Sequence, residues 1–273
     1  MWPILLHLLP ASLYAALGLY CWRIRLVIPA ATVPAALPHG VRLSLSVALI
    51  THGLALHVAI FPSAGMRFGF SLALSLMVWL AICFCWVETL YTRLDGLLAI
   101  ALPAGVLTSI LPVFFPATHD LLYANNPIFR VHLVIAMLAY SLFTLAMLHA
   151  MLMAIAARQL HHARLSNVFS SLPPLLTMEA LLFRLIGIAF VLLTLTLVTG
   201  VMFSENLFGK LFRFDHKSIF TVISWLLFGV LLIGRHVRGW RGRIALRWTL
   251  AGFIALMLAY VGSRFVIEVL LQR

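Results

Sequence analysis

Eight uninterrupted apolar runs, each about 18–25 residues long, constrain this chain more than any other feature. A run of that length, coiled at ~1.5 Å per residue, matches the hydrocarbon thickness of a bilayer. The runs lie near residues 3–22, 43–62, 68–90, 96–115, 130–157, 180–203, 217–234 and 247–269. Helix breakers stand between them: Pro29, Pro34 and Pro38, then Pro62 with Gly65, Pro116 with Pro127, Pro173 with Pro174, and Gly239 with Gly242. The chain is 64% hydrophobic and only 10% charged, whereas soluble domains hold about 45–50% apolar and about 25% charged residues. The excess must face lipid. A β-barrel would need alternating segments of about ten residues. The expected fold is therefore all-α, a polytopic integral membrane protein of about eight transmembrane helices. It forms a single membrane domain over residues 1–273, with no extramembrane domain and no cleavable leader before the first span.

The net charge of +12 comes from 19 Lys and Arg against 7 Asp and Glu. In a soluble chain this balance would point to nucleic acid. Here the basic residues sit between hydrophobic runs, so the positive-inside rule accounts for them and no nucleic-acid partner is expected. With the N-terminus outside, 12 of the 19 basic residues fall on inner segments. The strongest anchor is the run from Arg235 to Arg243. Both termini are thus expected on the outer side. Cys21, Cys83 and Cys85 all lie in apolar segments, with no Cys-x-x-Cys pair for redox or zinc chemistry.

Eleven histidines in so apolar a chain are the main anomaly. His7, His39, His161 and His162 lie at span ends or in loops, where a solvated ring is expected. His149 lies deep in the fifth span and reads as a core or interhelical hydrogen-bonding residue. His52 is near the middle of the second span. His57 follows five residues later, about 140° around the helix, so the two cannot serve one site. His119, His132 and His216 fall on the outer side, where they can converge at one boundary. No pair of histidines has the spacing of a helical metal site, and the few acids cannot build a hard-cation site. No nucleophile elbow or phosphate loop occurs. Isolated imidazoles beside apolar and aromatic residues suit haem, whose iron takes His axially. Arg130, Arg213 and Lys217 then suit the propionates, although Arg130 and Lys217 also read as plain interfacial anchors. Glu88 and Arg184 read as residues near the inner surface that extend toward water. Pro103, Gly105 and Pro112 in the fourth span read as a Pro-kinked helix rather than the broken helix of a transporter.

Several segments carry a family resemblance. Arg130-Val-His-Leu-Val-Ile-Ala-Met-Leu-Ala-Tyr140 places a Tyr eight residues after His132. Leu182–Gly200 contains Phe-Val-Leu-Leu-Thr-Leu and closes on Thr-Gly. Asp215-His-Lys opens the next span, with Trp225 ten residues after the Asp. Gly-Trp-Arg-Gly-Arg243 and Ala259-Tyr-Val-Gly-Ser-Arg264 follow. In order and spacing, over roughly residues 40–270, the chain resembles the cytochrome c assembly membrane proteins, the haem-handling group of CcsA, ResC and CcmC. Within that group it is most similar to a small subfamily of bacterial inner-membrane proteins with eight spans.

The resemblance implies a bacterial inner-membrane protein that presents or passes non-covalent b-type haem at the periplasmic face. It implies His132 as the first external haem ligand, and His52 as the first transmembrane ligand, with His57 second. The family's second transmembrane ligand falls here on Ile233, and its Trp-rich external loop is replaced by Ser204–His216. His216 is therefore taken to stand in for the second external ligand, so that His132, His52 and His216 are the expected iron ligands. The implied partners are membrane lipid and haem-delivery or cytochrome c maturation proteins. Catalysis by this chain itself is not expected. The other reading is a non-haem accessory, regulatory or transport-associated subunit on the same fold.

Overall fold

The computed structural model describes residues 2–27, 37–62, 65–90, 95–116, 121, 123–161, 174–208 and 215–271. Among them eight helices follow in order: α1 (Trp2–Val27), α2 (His39–Ile60), α3 (Phe70–Glu88), α4 (Asp95–Phe114), α5 (Pro127–His161), α6 (Leu175–Phe208), α7 (His216–Arg238) and α8 (Gly242–Met257). The last helix continues through two π-helical stretches, Leu258–Gly262 and Val266–Leu270, on either side of Ser263–Phe265. All eight, α8 with its continuation, are long and apolar enough to cross a membrane. The expected all-α polytopic architecture is what the chain adopts.

The helix starts follow from local chemistry. Asn126 Oδ1 accepts from the amides of Ile128 (2.9 Å) and Phe129 (3.3 Å), with Pro127 at the first helical position of α5. Asp215 Oδ1 accepts from the Ser218 amide at 2.9 Å and starts α7. At the other end of α7, Gly239 takes a left-handed φ of 65°. The Trp240 amide then donates to the Gly234 carbonyl at 3.2 Å, and its ring lies against Gly234. The expected spans hold, but α5 and α6 reach further than expected, to 35 and 34 residues. Their extra turns include Arg158, Gln159 and Leu160 in α5 and Leu175, Leu176, Met178 and Glu179 in α6, good helix formers that continue the coil beyond the apolar run.

Proline does not break α4, which runs through Pro103 and Pro112. A proline lacks the N–H that would satisfy the carbonyl four residues earlier. For Pro103 that carbonyl belongs to Ala99, and the Trp22 indole of α1 donates to it at 3.1 Å. Gly105, in the same helix, lets Tyr14 and Ile82 close in: a Cβ there would lie 3.1 Å and 2.7 Å from their side chains. Both residues thus serve helix packing.

The chain passes up and down through the bundle. α1 packs on α2 and α4, α3 on α2, α4 and α5, and α5 runs beside α6 along its length. α7 lies between α6 and α8, and α8 returns to α5. The starts of α1, α3, α5 and α7 meet the ends of their neighbours at one face, called here the N-terminal face. The opposite, arginine-rich face is tied by ion pairs: Arg184 Nη2 to Glu88 Oε1 (2.6 Å) and Arg235 Nη1 to Glu179 Oε1 (2.6 Å), with Arg241 at 3.8 Å. Glu88 and Arg184 therefore neutralise each other. His149 Nε2 donates to the Met178 carbonyl at 2.8 Å, the interhelical bond expected of it.

At the centre, Phe143 stacks on Phe228 with ring centroids 3.9 Å apart. Gly252 makes room for them, since a Cβ there would lie 2.8 Å from the Phe228 ring. Gly252→Val should overpack this contact and cost about 1–3 kcal/mol. The expected outcome is a lowered thermal unfolding midpoint in detergent, with lipid-facing Ala251→Val unchanged in the same assay.

Candidate functional site

Two histidines named from the sequence are held in different ways. His52 is fully buried at the junction of α1, α2 and α3. Its Nδ1 pairs with the Tyr14 hydroxyl (3.2 Å) and its Nε2 with Ser75 Oγ (2.9 Å). Both ring nitrogens are therefore committed within the protein. Nearby, Gly53 lets Trp79 reach the α2 backbone, where its indole donates to the Leu49 carbonyl at 2.8 Å. His57, one and a half turns beyond His52, is exposed on the lipid side, with its ring 5.2 Å from that of Phe61.

His132 stands at the N-terminal face, in the first turns of α5 and half-buried against α6. Its Nδ1 lies 3.0 Å from Thr199 Oγ1. The single Thr199 hydroxyl proton already goes to the Leu195 carbonyl (2.8 Å), one turn back along α6. With that proton on Leu195, Thr199 accepts from His132 Nδ1–H, and the Thr196 carbonyl also hydrogen-bonds the ring. Gly200 supplies the space: a Cβ there would press on His132 Cε1 at 3.3 Å. Thr199-Gly200 was visible in the sequence only as a motif ending. Its role as the seat of an imidazole comes from the pairing of α5 with α6.

The basic residues named with His132 are spread around that face. Arg130 is exposed and grips the preceding turn, its Nε on the Ala124 carbonyl (2.6 Å) and its Nη2 on Asn125 Oδ1 (3.2 Å). His216 is exposed at the first position of α7, directly after Asp215. Partial burial opposes ionisation of Asp215, but the Ser218 amide and hydroxyl, with Lys217 and His216, outweigh it and hold the carboxyl below its usual value. Lys217 Nζ sits over the Tyr260 ring, 5.8 Å from its centroid. Arg213 and His119 lie outside the described residues.

A polar group that the sequence did not reveal completes this face. Glu268 Oε2 accepts from the Phe70 amide at the start of α3 (3.1 Å), and its Oε1 lies 3.8 Å from Arg264 Nη1. Tyr260, Arg264 and Glu268 recur at four-residue spacing along the π-helical end of α8. That spacing is the one available signal, and it is weak in a span that also contains exposed Val266 and Leu270. His7 was expected at a solvated helix end, yet it is buried. Among the described residues no cluster of three or more His, Cys, Asp or Glu side chains forms a metal site.

The cytochrome C assembly protein family model matches residues 11–271. The chain belongs to that family. It is 32% identical to the inner membrane protein YpjD of Escherichia coli K12 over 227 residues, covering 82% of this chain and 85% of that one. The cytochrome c biogenesis protein CcsA of Gloeobacter violaceus is 31% identical over 92 residues, covering 34% of this chain and 27% of its own length. An uncharacterized 28.8 kDa protein of Azospirillum brasilense is 34% identical over 142 residues, about half of each chain. No solved structure gives a significant match. The inner-membrane relative expected from the sequence is thus found along most of the chain, and the likeness to this CcsA is confined to part of it.

The His52 tie has its own consequence. Tyr14→Phe should leave a buried imidazole nitrogen without a partner, at a cost of about 1–3 kcal/mol. A thermal melt in detergent should show the loss. The triple variant Tyr14→Phe, His52→Leu, Ser75→Ala removes all three polar groups and should melt closer to wild type than the sum of its single changes.

Proposed function

We propose that this chain is a haem-handling protein of the bacterial inner membrane, holding non-covalent haem at its N-terminal face for presentation to cytochrome c maturation partners. The observation that carries the reading is the His132 ring. An iron-ligating imidazole commonly donates its other N–H to a fixed acceptor, which sets the tautomer and raises the basicity of the ligating nitrogen. Thr199 is such an acceptor for Nδ1. Family membership and the biogenesis name of the CcsA relatives support haem as the group handled.

In this reading His132 and His216, exposed at the start of α7, would hold the haem iron. Arg130, Arg213 and Lys217 meet the propionates through charge-assisted hydrogen bonds. Haem supplies the redox-active iron and the vinyl groups that a partner system would act on. This chain's part is to bind, orient and release. His52 acts as a positioning residue that locks α1, α2 and α3 together, and His57 as a lipid-facing one. Neither is needed as an iron ligand, which suits the Ile233 found where the family has its second transmembrane histidine.

The N-terminal face is proposed to be periplasmic, because 12 of the 19 basic residues lie on segments of the other side. A reporter that works only in the cytoplasm, fused after Arg273, should be silent. Strong activity would reverse the orientation.

The haem reading is tested by absorption spectra of the detergent-purified protein with added haem. Wild type should be six-coordinate and low-spin. His216→Ala should become five-coordinate or weak, and His132→Ala should lose most of its haem. Thr199→Val, which keeps the side-chain shape but removes the acceptor, should weaken binding about 10–100-fold. Identical spectra for all four proteins, or none from wild type, would turn the assignment to a non-haem accessory subunit.

A further inference from the structure

A cavity of about 380 Å³ opens at the N-terminal face between the start of α1, the end of α2, the start of α3 and the end of α4. Its size is within the ordinary range of small-molecule sites, about 300–1,000 Å³. The walls are apolar, with Leu6, Val58, Leu72 and Val113 among them, and two basic side chains join them: His7 and Arg67. Ile4 and Val58 on its rim are 45% and 53% exposed, so the cavity opens sideways toward the acyl chains as well as toward the interface. None of these residues belongs to the His132 site.

His7 is what makes the cavity unusual. It is 6% exposed, and its Nδ1 has no hydrogen-bond partner among the described residues. The backbone group facing the ring is the Ser109 carbonyl of α4. A buried polar atom without a partner costs about 1–3 kcal/mol, and in a cavity whose charged or titratable lining is His7 and Arg67 a polar ligand group can supply the missing partner. A carboxyl group meets the requirement in either protonation state. As an acid it donates to a neutral imidazole, and as a carboxylate it accepts from an imidazolium. Arg67, exposed at the interface, adds the planar guanidinium that matches a carboxylate.

We propose that this cavity binds a single-chain carboxylic amphiphile, a free fatty acid entering from the bilayer. Its acyl chain lies among Leu6, Val58, Leu72 and Val113, and its carboxyl group lies between His7 and Arg67. The site is separate from the proposed haem site and does not depend on it.

Carboxyl-¹³C dodecanoate, titrated into the full chain in detergent and read by NMR, tests the proposal. A bound carboxyl resonance, distinct from that of the micelle pool, should saturate at one per chain. His7→Phe and Arg67→Gln should each weaken binding about tenfold or more, in line with loss of one charge-assisted hydrogen bond. Val58→Trp, at a lipid-exposed position that the bundle does not depend on, should fill the cavity and abolish binding with the melting temperature unchanged. Dodecanol should not compete, and haem should not displace the bound dodecanoate. Absence of a saturable resonance, or binding indifferent to all three substitutions, overturns the proposal. So does equal competition by dodecanol. Tighter competition by dodecyl phosphate would assign the cavity to phospholipid headgroups instead, and displacement by haem would make it part of the haem site.

Discussion

Hydrocarbon offers no hydrogen bonds, so most polar groups in this bundle bring a partner with them. That constraint explains contacts that would otherwise look unrelated. The carbonyl freed by Pro103 is met by Trp22, and the Leu49 carbonyl is reached by Trp79 across Gly53. Ser224 donates to the Gly252 carbonyl at 2.9 Å, beside the Phe143–Phe228 stack. Thr108, Thr144, Thr194 and Thr249 return their hydroxyl protons to carbonyls one turn back. His52 obeys the same rule with two partners on two other helices. Each bond between helices therefore fixes the rotation of a helix about its axis, which apolar packing between Leu and Ala surfaces specifies only loosely.

The two ends of the bundle handle charge differently. At the arginine-rich face, Glu88 and Glu179 are matched by Arg184, Arg235 and Arg241, and Arg235 also lies over the Phe183 ring at 4.7 Å. These pairs cross between α3 and α6 and between α6 and α7, so removing one partner would strand a charge near hydrocarbon. At the N-terminal face the balance is basic. His7, Arg67, Arg130, His132, His216 and Lys217 are spread over it, against Asp215, which caps α7, and Glu268, whose carboxylate is occupied with the start of α3. A face of this kind is suited to anionic groups borne on apolar bodies. The haem propionates of the proposed function and the carboxyl group of the proposed amphiphile share that chemistry. The π-helical end of α8 contributes here by bringing Tyr260, Arg264 and Glu268 onto this face, and π-helical turns occur often at functional sites.

Much of this was legible in the sequence. The length of each apolar run determined the number of spans, and the breakers determined where the chain turns, because both are properties of consecutive residues. The order and spacing of the motifs from Arg130 to Arg264, taken together, carried the family resemblance. The spacing of His52 and His57 already implied that they face different ways. The tertiary structure decided which of them is enclosed, and with what. It seated His132 on Thr199, buried His7 beside an open cavity, and put Glu268 on the α3 start. None of these follows from spacing along one helix, since each depends on how two or three helices are rotated and offset against one another. A one-dimensional pattern tells how far a helix extends through lipid. Which ring nitrogen meets which oxygen is set by the small residues, Gly53, Gly105, Gly200 and Gly252, that let neighbouring helices approach.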